Sequence, residues 1–192
     1  MKSFFNLVAP VYEKFHFGAR KTFRKIETLA DFQTSDVVVD LGGGTGRIAK
    51  FLVGKVQSIT VIDVSEKMIE QCKKHFGLSC VIANGENLPI ADNSVDRIIL
   101  VDAFHHTRNQ AQVIKEIKRI LKSDGKIIIE EFNPSTILGK LIIILEKILK
   151  LGSAFHSPLS LENLFSSSGF STQLFDAGKT NYHLVARKPA LK

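Results

Sequence analysis

Asp40-Leu41-Gly42-Gly43-Gly44-Thr45-Gly46-Arg47 is the stretch on which the reading of this chain turns. It follows the short apolar run Val37-Val38-Val39 and opens the helix-like segment Thr45–Val53. Glycines placed between a strand and a helix let backbone N–H groups approach a ligand at the positive end of that helix. The dinucleotide pattern G-x-G-x-x-G fits badly, because its third glycine falls on Arg47; the chain reads G-x-G-x-G through Gly42, Gly44 and Gly46. No Lys-Ser/Thr pair follows, which excludes a P-loop. A glycine-rich turn alone can be no more than a tight turn, so its meaning depends on its surroundings.

Working outward, Ile59-Thr60-Val61-Ile62 ends in Asp63, 17 residues after Gly46. An acid at that strand end can accept both hydroxyls of an adenosine ribose. Ser65–Phe76 reads as a helix, Ser79–Ala83 and Val95–Val101 as strands, and Gln110–Leu121 as an amphipathic helix with Val113, Ile114, Ile117, Ile120 and Leu121 on one face. Ser123-Asp124-Gly125 ends that helix, and Lys126–Phe132 is again apolar. Continuous apolar strands alternating with helices predict a parallel sheet covered on both faces. After the helix Ser160–Ser168, the runs Ser171–Phe175 and Tyr182–Arg187 suit a hairpin that adds an antiparallel strand. The expected fold is α/β, a Rossmann-like doubly wound sheet, mostly parallel with a C-terminal antiparallel hairpin strand.

Val38 to Gly46 resembles the first motif of the class I S-adenosylmethionine-dependent methyltransferases, and Val61-Ile62-Asp63-Val64-Ser65-Glu66-Lys67-Met68 the second. The segment Asn84 to Asp96 resembles the third region, with Asn84 where the family usually has Asp. The resemblance implies S-adenosyl-L-methionine as cofactor. By it, Asp40, Gly42, Gly43, Gly44 and Gly46 hold the methionine end, and Asp63 binds the ribose. Val64 and Met68 lie against the adenine, Asn84, Gly85 and Glu86 edge it, and Asp102 lies beside the sulfonium. Phe5 to Glu13 resembles the N-terminal lid of the ubiquinone and menaquinone biosynthesis group, in which Tyr12 can face the site. The neighbouring Phe4, Phe5, Phe15, Phe17 and Phe23 read for the most part as core residues of a covering helix.

On this reading residues 1–192 form a single methyltransferase domain. Residues 1–30 are N-terminal lid helices, 36–132 the cofactor-binding core, 137–151 an inserted lid helix, and 160–192 the C-terminal helix and hairpin. The formal net charge is +7, which suggests an anionic partner. Residues 31–136, however, carry 13 basic and 14 acidic side chains, so the surplus belongs to the two ends. That argues against a nucleic acid. The amine-directed signature Asn-Pro-Pro-Tyr is also absent after the fourth strand, where Val101-Asp102-Ala103-Phe104 stands.

Ile137–Leu151 is rich in Ile and Leu with Lys140, Lys147 and Lys150 on one stripe. It reads as a substrate lid, a homodimer surface or an interfacial membrane helix; its place in the chain favours the lid. The expected acceptor is a small molecule, amphipathic or anionic, aromatic or lipid. Expected partners are that substrate, a peripheral membrane contact, and in solution a monomer or homodimer.

His106, then His105 and Asp102, are the candidates for acceptor-side catalysis, since a histidine can take a proton from a phenol or ring carbon. Adjacent histidines seldom converge on one ion and no third ligand is evident, so no metal is expected. Two cysteines, Cys72 and Cys80, are too few for a disulfide scaffold. They read as reduced thiols of a cytoplasmic protein, as does the lack of a signal-like apolar stretch in the first ten residues. Two rival functions remain at this point: a cofactor- or partner-binding member of the fold without turnover, and a nucleotide-cofactor oxidoreductase.

Overall fold

A computed structural model describes residues 2–9 and 18–190. Helices α1 (Lys2–Val8) and α2 (Ala19–Ala30) precede β1 (Val37–Leu41), β2 (Ser58–Asp63), α3 (Glu66–Cys72), β3 (Ser79–Ile82) and β4 (Val95–Val101). They are followed by α4 (Gln110–Ile120), β5 (Leu121–Phe132), α5 (Ile137–Ile148), α6 (Pro158–Ser167), β6 (Ser171–Phe175) and β7 (Asn181–Arg187). The seven strands form one sheet in the order β3-β2-β1-β4-β5-β7-β6. The first five pair in parallel, whereas β7 lies antiparallel between β5 and β6. This is the doubly wound sheet with a terminal hairpin that the sequence predicts.

Alternation along the strands explains why both faces are covered. Val39, Ile98, Ile127 and Ile129 point into one core with Val113, Ile117 and Phe165 of the helices. Their neighbours Val38, Ile99 and Ile128 point into the other, with Phe23 and Ile26 of α2 and Leu52. A side-chain period of two with apolar residues at both phases is what a sheet buried on both sides requires.

Three local expectations change. Thr45–Val53 is a series of turns with one 3-10 turn, Ala49–Leu52, instead of a regular helix. Gly42, Gly44 and Gly46 have φ of +71°, +56° and +78°, a left-handed backbone that cannot continue an α-helix. The helix expected over Ser65–Phe76 closes at Cys72; it begins where Ser65 Oγ accepts the Met68 N–H at 3.2 Å. Strand β5 starts early, at Leu121, with a shift of register against β4 between Val95 and Arg97.

The cysteines also differ from expectation. Cys72, at the end of α3, and Cys80, on β3, form a disulfide. The helix packs on the strand and brings their Cα atoms to 6.2 Å, inside the range a disulfide spans. Among the described residues no helix is long and apolar enough to cross a membrane.

Candidate active site

The carboxyl ends of β1, β2 and β4 open onto a cavity of about 300 Å³, where open α/β sheets bind their ligands. Asp40, Gly42, Gly43, Gly44, Asp63, Val64, Met68, Asn84, Gly85, Glu86, Asp102 and His106 all line it. Residues far apart in sequence thus meet at one place. Gly46 does not line the cavity; it lies beneath it, where a Cβ would come within 2.6 Å of Leu78 Cδ1. His105 is buried behind His106, and Tyr12 lies outside the described residues.

The glycine turn is shaped around two acids. A side chain at Gly43 would run into the Asp40 carboxylate, and one at Gly42 would come within 2.5 Å of Ala103 Cβ. The Gly44 N–H donates to Asp63 Oδ2 at 3.0 Å, and the Ser65 N–H to Asp63 Oδ1 at 2.8 Å. Burial raises the Asp63 pKa, and these backbone donors oppose the shift. Asp40 is almost fully buried and its Oδ2 has no hydrogen-bond partner among the described residues. Burial pushes its pKa up to about 7, against the opposing pull of Arg47. A buried carboxylate with an empty acceptor position is costly unless a donor or cation arrives.

On the opposite wall, Asp102 adopts φ +50°, a strained setting for a non-glycine residue and one that collects at functional sites. Its Oδ2 faces Arg47 Nη2 at 3.3 Å, and Oδ1 is buried without a partner among the described residues. Burial raises its pKa to about 7, helped by Glu130 and Glu131 and opposed by Arg47. Arg47, which the sequence offers only as a breach of the dinucleotide pattern, therefore bridges the cavity's two walls. It could not have been placed without the fold.

The third motif is more constrained than its resemblance suggests. Asn84 Oδ1 already accepts the Glu86 N–H at 3.1 Å, and Glu86 Oε1 accepts the Asn109 N–H at 3.1 Å. These bonds fix the loop that edges the cavity and occupy one acceptor position of the amide that faces it.

Helix α1 closes the near side. Asn6 Oδ1 accepts the Ser65 hydroxyl at 2.6 Å, and the Phe5 ring meets His106 at 5.0 Å between centroids. Phe5 thereby lines the cavity, while Phe23 is a core residue; Phe15 and Phe17 lie outside the described residues. His105 Nδ1 is 2.5 Å from Glu131 Oε2 and its Nε2 3.7 Å from Glu146 Oε1. Burial opposes a charge on His105, but the two carboxylates prevail and its pKa rises to about 10. Burial and the charge of His105 hold His106 down at about 4.

No residue of α5 lines the cavity. The helix reaches the site with Glu146, whose Oε2 is 4.0 Å from His106 Nδ1. Gly139 is its one buried residue. Ile137, Leu138, Leu141, Ile144, Leu145 and Ile148 are each more than half exposed, and Lys140, Lys147 and Lys150 are exposed as well. The apolar wall that the sequence reading turned towards a substrate faces solvent instead.

The sheet order, the glycine turn and the acids at the ends of β1 and β2 are the features by which the chain resembles the class I S-adenosylmethionine-dependent methyltransferases. Residues 39–129 match the methyltransferase domain family. A ubiquinone/menaquinone biosynthesis C-methyltransferase of Rubrivivax gelatinosus is 29% identical over 136 residues, 67% of this chain and 54% of that protein. A demethylmenaquinone methyltransferase of Thermotoga maritima is 32% identical over 123 residues, 62% of this chain and 53% of that protein. The chain spans about half the length of these curated relatives. Among solved structures, an S-adenosylmethionine-dependent methyltransferase of Thermotoga maritima shares the fold, with a TM-score of 0.79 at 23% identity over 98% of this chain and 100% of that one. The cofactor of the class is S-adenosyl-L-methionine, and the residues fit it. The turn cannot take side chains, and the Asp40 Oδ2, unpartnered among the described residues, and the partly buried Asp63 suit a ligand that brings positive charge and hydroxyl donors.

Proposed function

We propose that the chain binds S-adenosylmethionine and transfers its methyl group to a small amphipathic or anionic acceptor. The observation that carries this reading is the single cavity running from Asp63 and Asp40 to Asp102 and His106. Asp63 receives the ribose hydroxyls. Asp40 and the backbone of the Gly42–Gly44 turn receive the amino-acid end, the Gly44 N–H staying on Asp63 and the Gly42 N–H on the Ile62 carbonyl, and Met68, Val64 and the Asn84–Glu86 loop enclose the adenine. The bound cofactor supplies a methyl group on a sulfonium that is already activated for in-line displacement. The protein's share is then alignment and exclusion of water. Phe5 and α1 close one side, and His106 and Asp102 stand on the acceptor side with His105 behind them.

The acceptor class rests on surface chemistry and on the relatives. Two curated relatives are named for ubiquinone/menaquinone biosynthesis and for the methylation of demethylmenaquinone, which supports a quinone-related acceptor. The exposed apolar residues and lysines of α5 suit an anionic amphiphile or the surface of an anionic bilayer that carries one. The test has two arms. S-adenosylhomocysteine should raise the melting temperature and NADH should not. Labelled methyl from S-adenosylmethionine should then enter amphipathic phenols or acids in an acceptor panel. A response to NADH alone would overturn the reading in favour of an oxidoreductase. Tight cofactor binding without transfer to any acceptor would favour the non-catalytic alternative.

A further inference from the structure

His105, His106 and Glu146 bring three potential ligand atoms within 4.8 Å of one another. His105 Nε2 lies 3.7 Å from Glu146 Oε1, and His106 Nδ1 lies 4.0 Å from Glu146 Oε2. Both separations exceed a hydrogen bond. They are close to the spacing of about 3.4 Å between ligands held at about 2.0–2.1 Å around a tetrahedral zinc ion. We propose that His105 Nε2, His106 Nδ1 and a carboxylate oxygen of Glu146 form a binding site for one divalent transition-metal ion of the zinc class.

The surroundings are built for such a site. A metal-ligating histidine ordinarily gives its other ring nitrogen to a carboxylate. His105 Nδ1 is paired with Glu131 Oε2 at 2.5 Å, and Glu131 Oε1 is fixed by the N–H groups of Phe104 at 2.9 Å and His105 at 3.3 Å. The His105 ring is stacked on Phe155, 4.3 Å between centroids, so its orientation is set before any ion arrives. Two imidazoles and one carboxylate are a donor set for zinc and its neighbours, whereas calcium and magnesium prefer oxygen throughout. The Ser153 hydroxyl, 3.0 Å from His106 Nδ1 and hydrogen-bonded to Glu146, bridges two of the three ligands and would give up these bonds to an arriving ion.

The ion would also have mechanical work to do. Helix α5 buries only Gly139 and meets the turn Phe104–His106 through Glu146. A metal at that point fastens the inserted helix to the residue that forms the acceptor wall of the cavity. The sequence hides this because the third ligand stands forty residues after the histidine pair.

The test uses tag-free full-length protein stripped of metal, titrated with zinc and cobalt(II). One zinc ion should bind per chain with a Kd of about 1 µM or tighter. Cobalt(II) should give the visible absorption of a four-coordinate nitrogen–oxygen site and shift the imidazole resonances of His105 and His106 among the six histidines. Glu146→Gln and His106→Asn should each weaken zinc binding by about tenfold or more, and Glu131→Gln by about 10–100-fold through the His105 orientation. Lys147→Gln, on the same helix, should bind as the wild type does, and circular dichroism identifies any variant that fails to fold. No zinc binding at about 100 µM, or cobalt shifts confined to the other four histidines of the wild type, would overturn the proposal. So would binding that survives both Glu146→Gln and His106→Asn.

Discussion

Replacing Asp40 with asparagine removes a charge that the protein without its cofactor holds in an unfavourable place. The folded-state pKa of Asp40 is about 7, against an ordinary 3.8, because burial disfavours the carboxylate. Below about pH 4 the group is protonated in both folded and unfolded chains. Between about pH 4 and 7 only the folded protein keeps the proton, so folded stability falls as pH rises through that window. The loss is about 1.4 kcal/mol per pH unit, or about 4 kcal/mol over the shift from 3.8 to about 7. Asp40→Asn keeps the shape and has no proton to lose. At pH 8 it should therefore be more stable than the wild type by up to about 4 kcal/mol, roughly 10 °C in Tm for a chain of this length. The difference should shrink steadily towards pH 4.5. The same change should weaken S-adenosylhomocysteine binding by about tenfold or more, because a charge-assisted hydrogen bond contributes about 1.5–3 kcal/mol. Melting curves from pH 4.5 to 8.5, with and without S-adenosylhomocysteine, measure both effects together. Parallel pH–Tm profiles for the two proteins, or an unchanged affinity in the variant, would refute the reasoning.

Other expectations are independent of Asp40. Asp63→Ala should weaken S-adenosylhomocysteine binding by about 10–100-fold through its lost hydroxyl contacts, read by calorimetry. It should also loosen the turn, because Gly44 and Ser65 lose their acceptor. The pair Lys140→Glu and Lys147→Glu should reduce sedimentation with phosphatidylserine-containing vesicles by about tenfold or more, at about 1 kcal/mol per lysine near an anionic surface. Neutral vesicles should show little difference. Ile128→Ala, in the fully buried middle of β5, should cost about 2–5 kcal/mol in denaturant unfolding without changing the site's residues.

How much was legible in the sequence follows from the range of each signal. The apolar runs of β1, β2, β4 and β5 and the acids that end β1 and β2 are local, and they mark both the sheet and the end of the cavity that holds Asp40 and Asp63. The hairpin was legible too, from two strand-like runs around Gly178. The disulfide was not, because its geometry comes from how α3 packs on β3. Nor was the irregular course after the glycine turn: left-handed φ at Gly42, Gly44 and Gly46 overrides the helical pattern of Thr45–Val53. The acceptor side was least legible. Arg47 and Asp102, and likewise the histidine pair and Glu146, are joined by contacts across the fold. The hydrophobic pattern of α5 said that its surface is apolar but not which way it faces.

The cavity beyond β1, β2 and β4 is the site proposed for S-adenosylmethionine. The most direct measurement is a crystal structure with S-adenosylhomocysteine bound. The ribose hydroxyls are expected on Asp63, the amino group at Asp40 and the glycine turn, and the sulfur directed towards the wall formed by Asp102 and His106. A ligand seated elsewhere, or a cavity that stays empty at saturating S-adenosylhomocysteine, would contradict this placement.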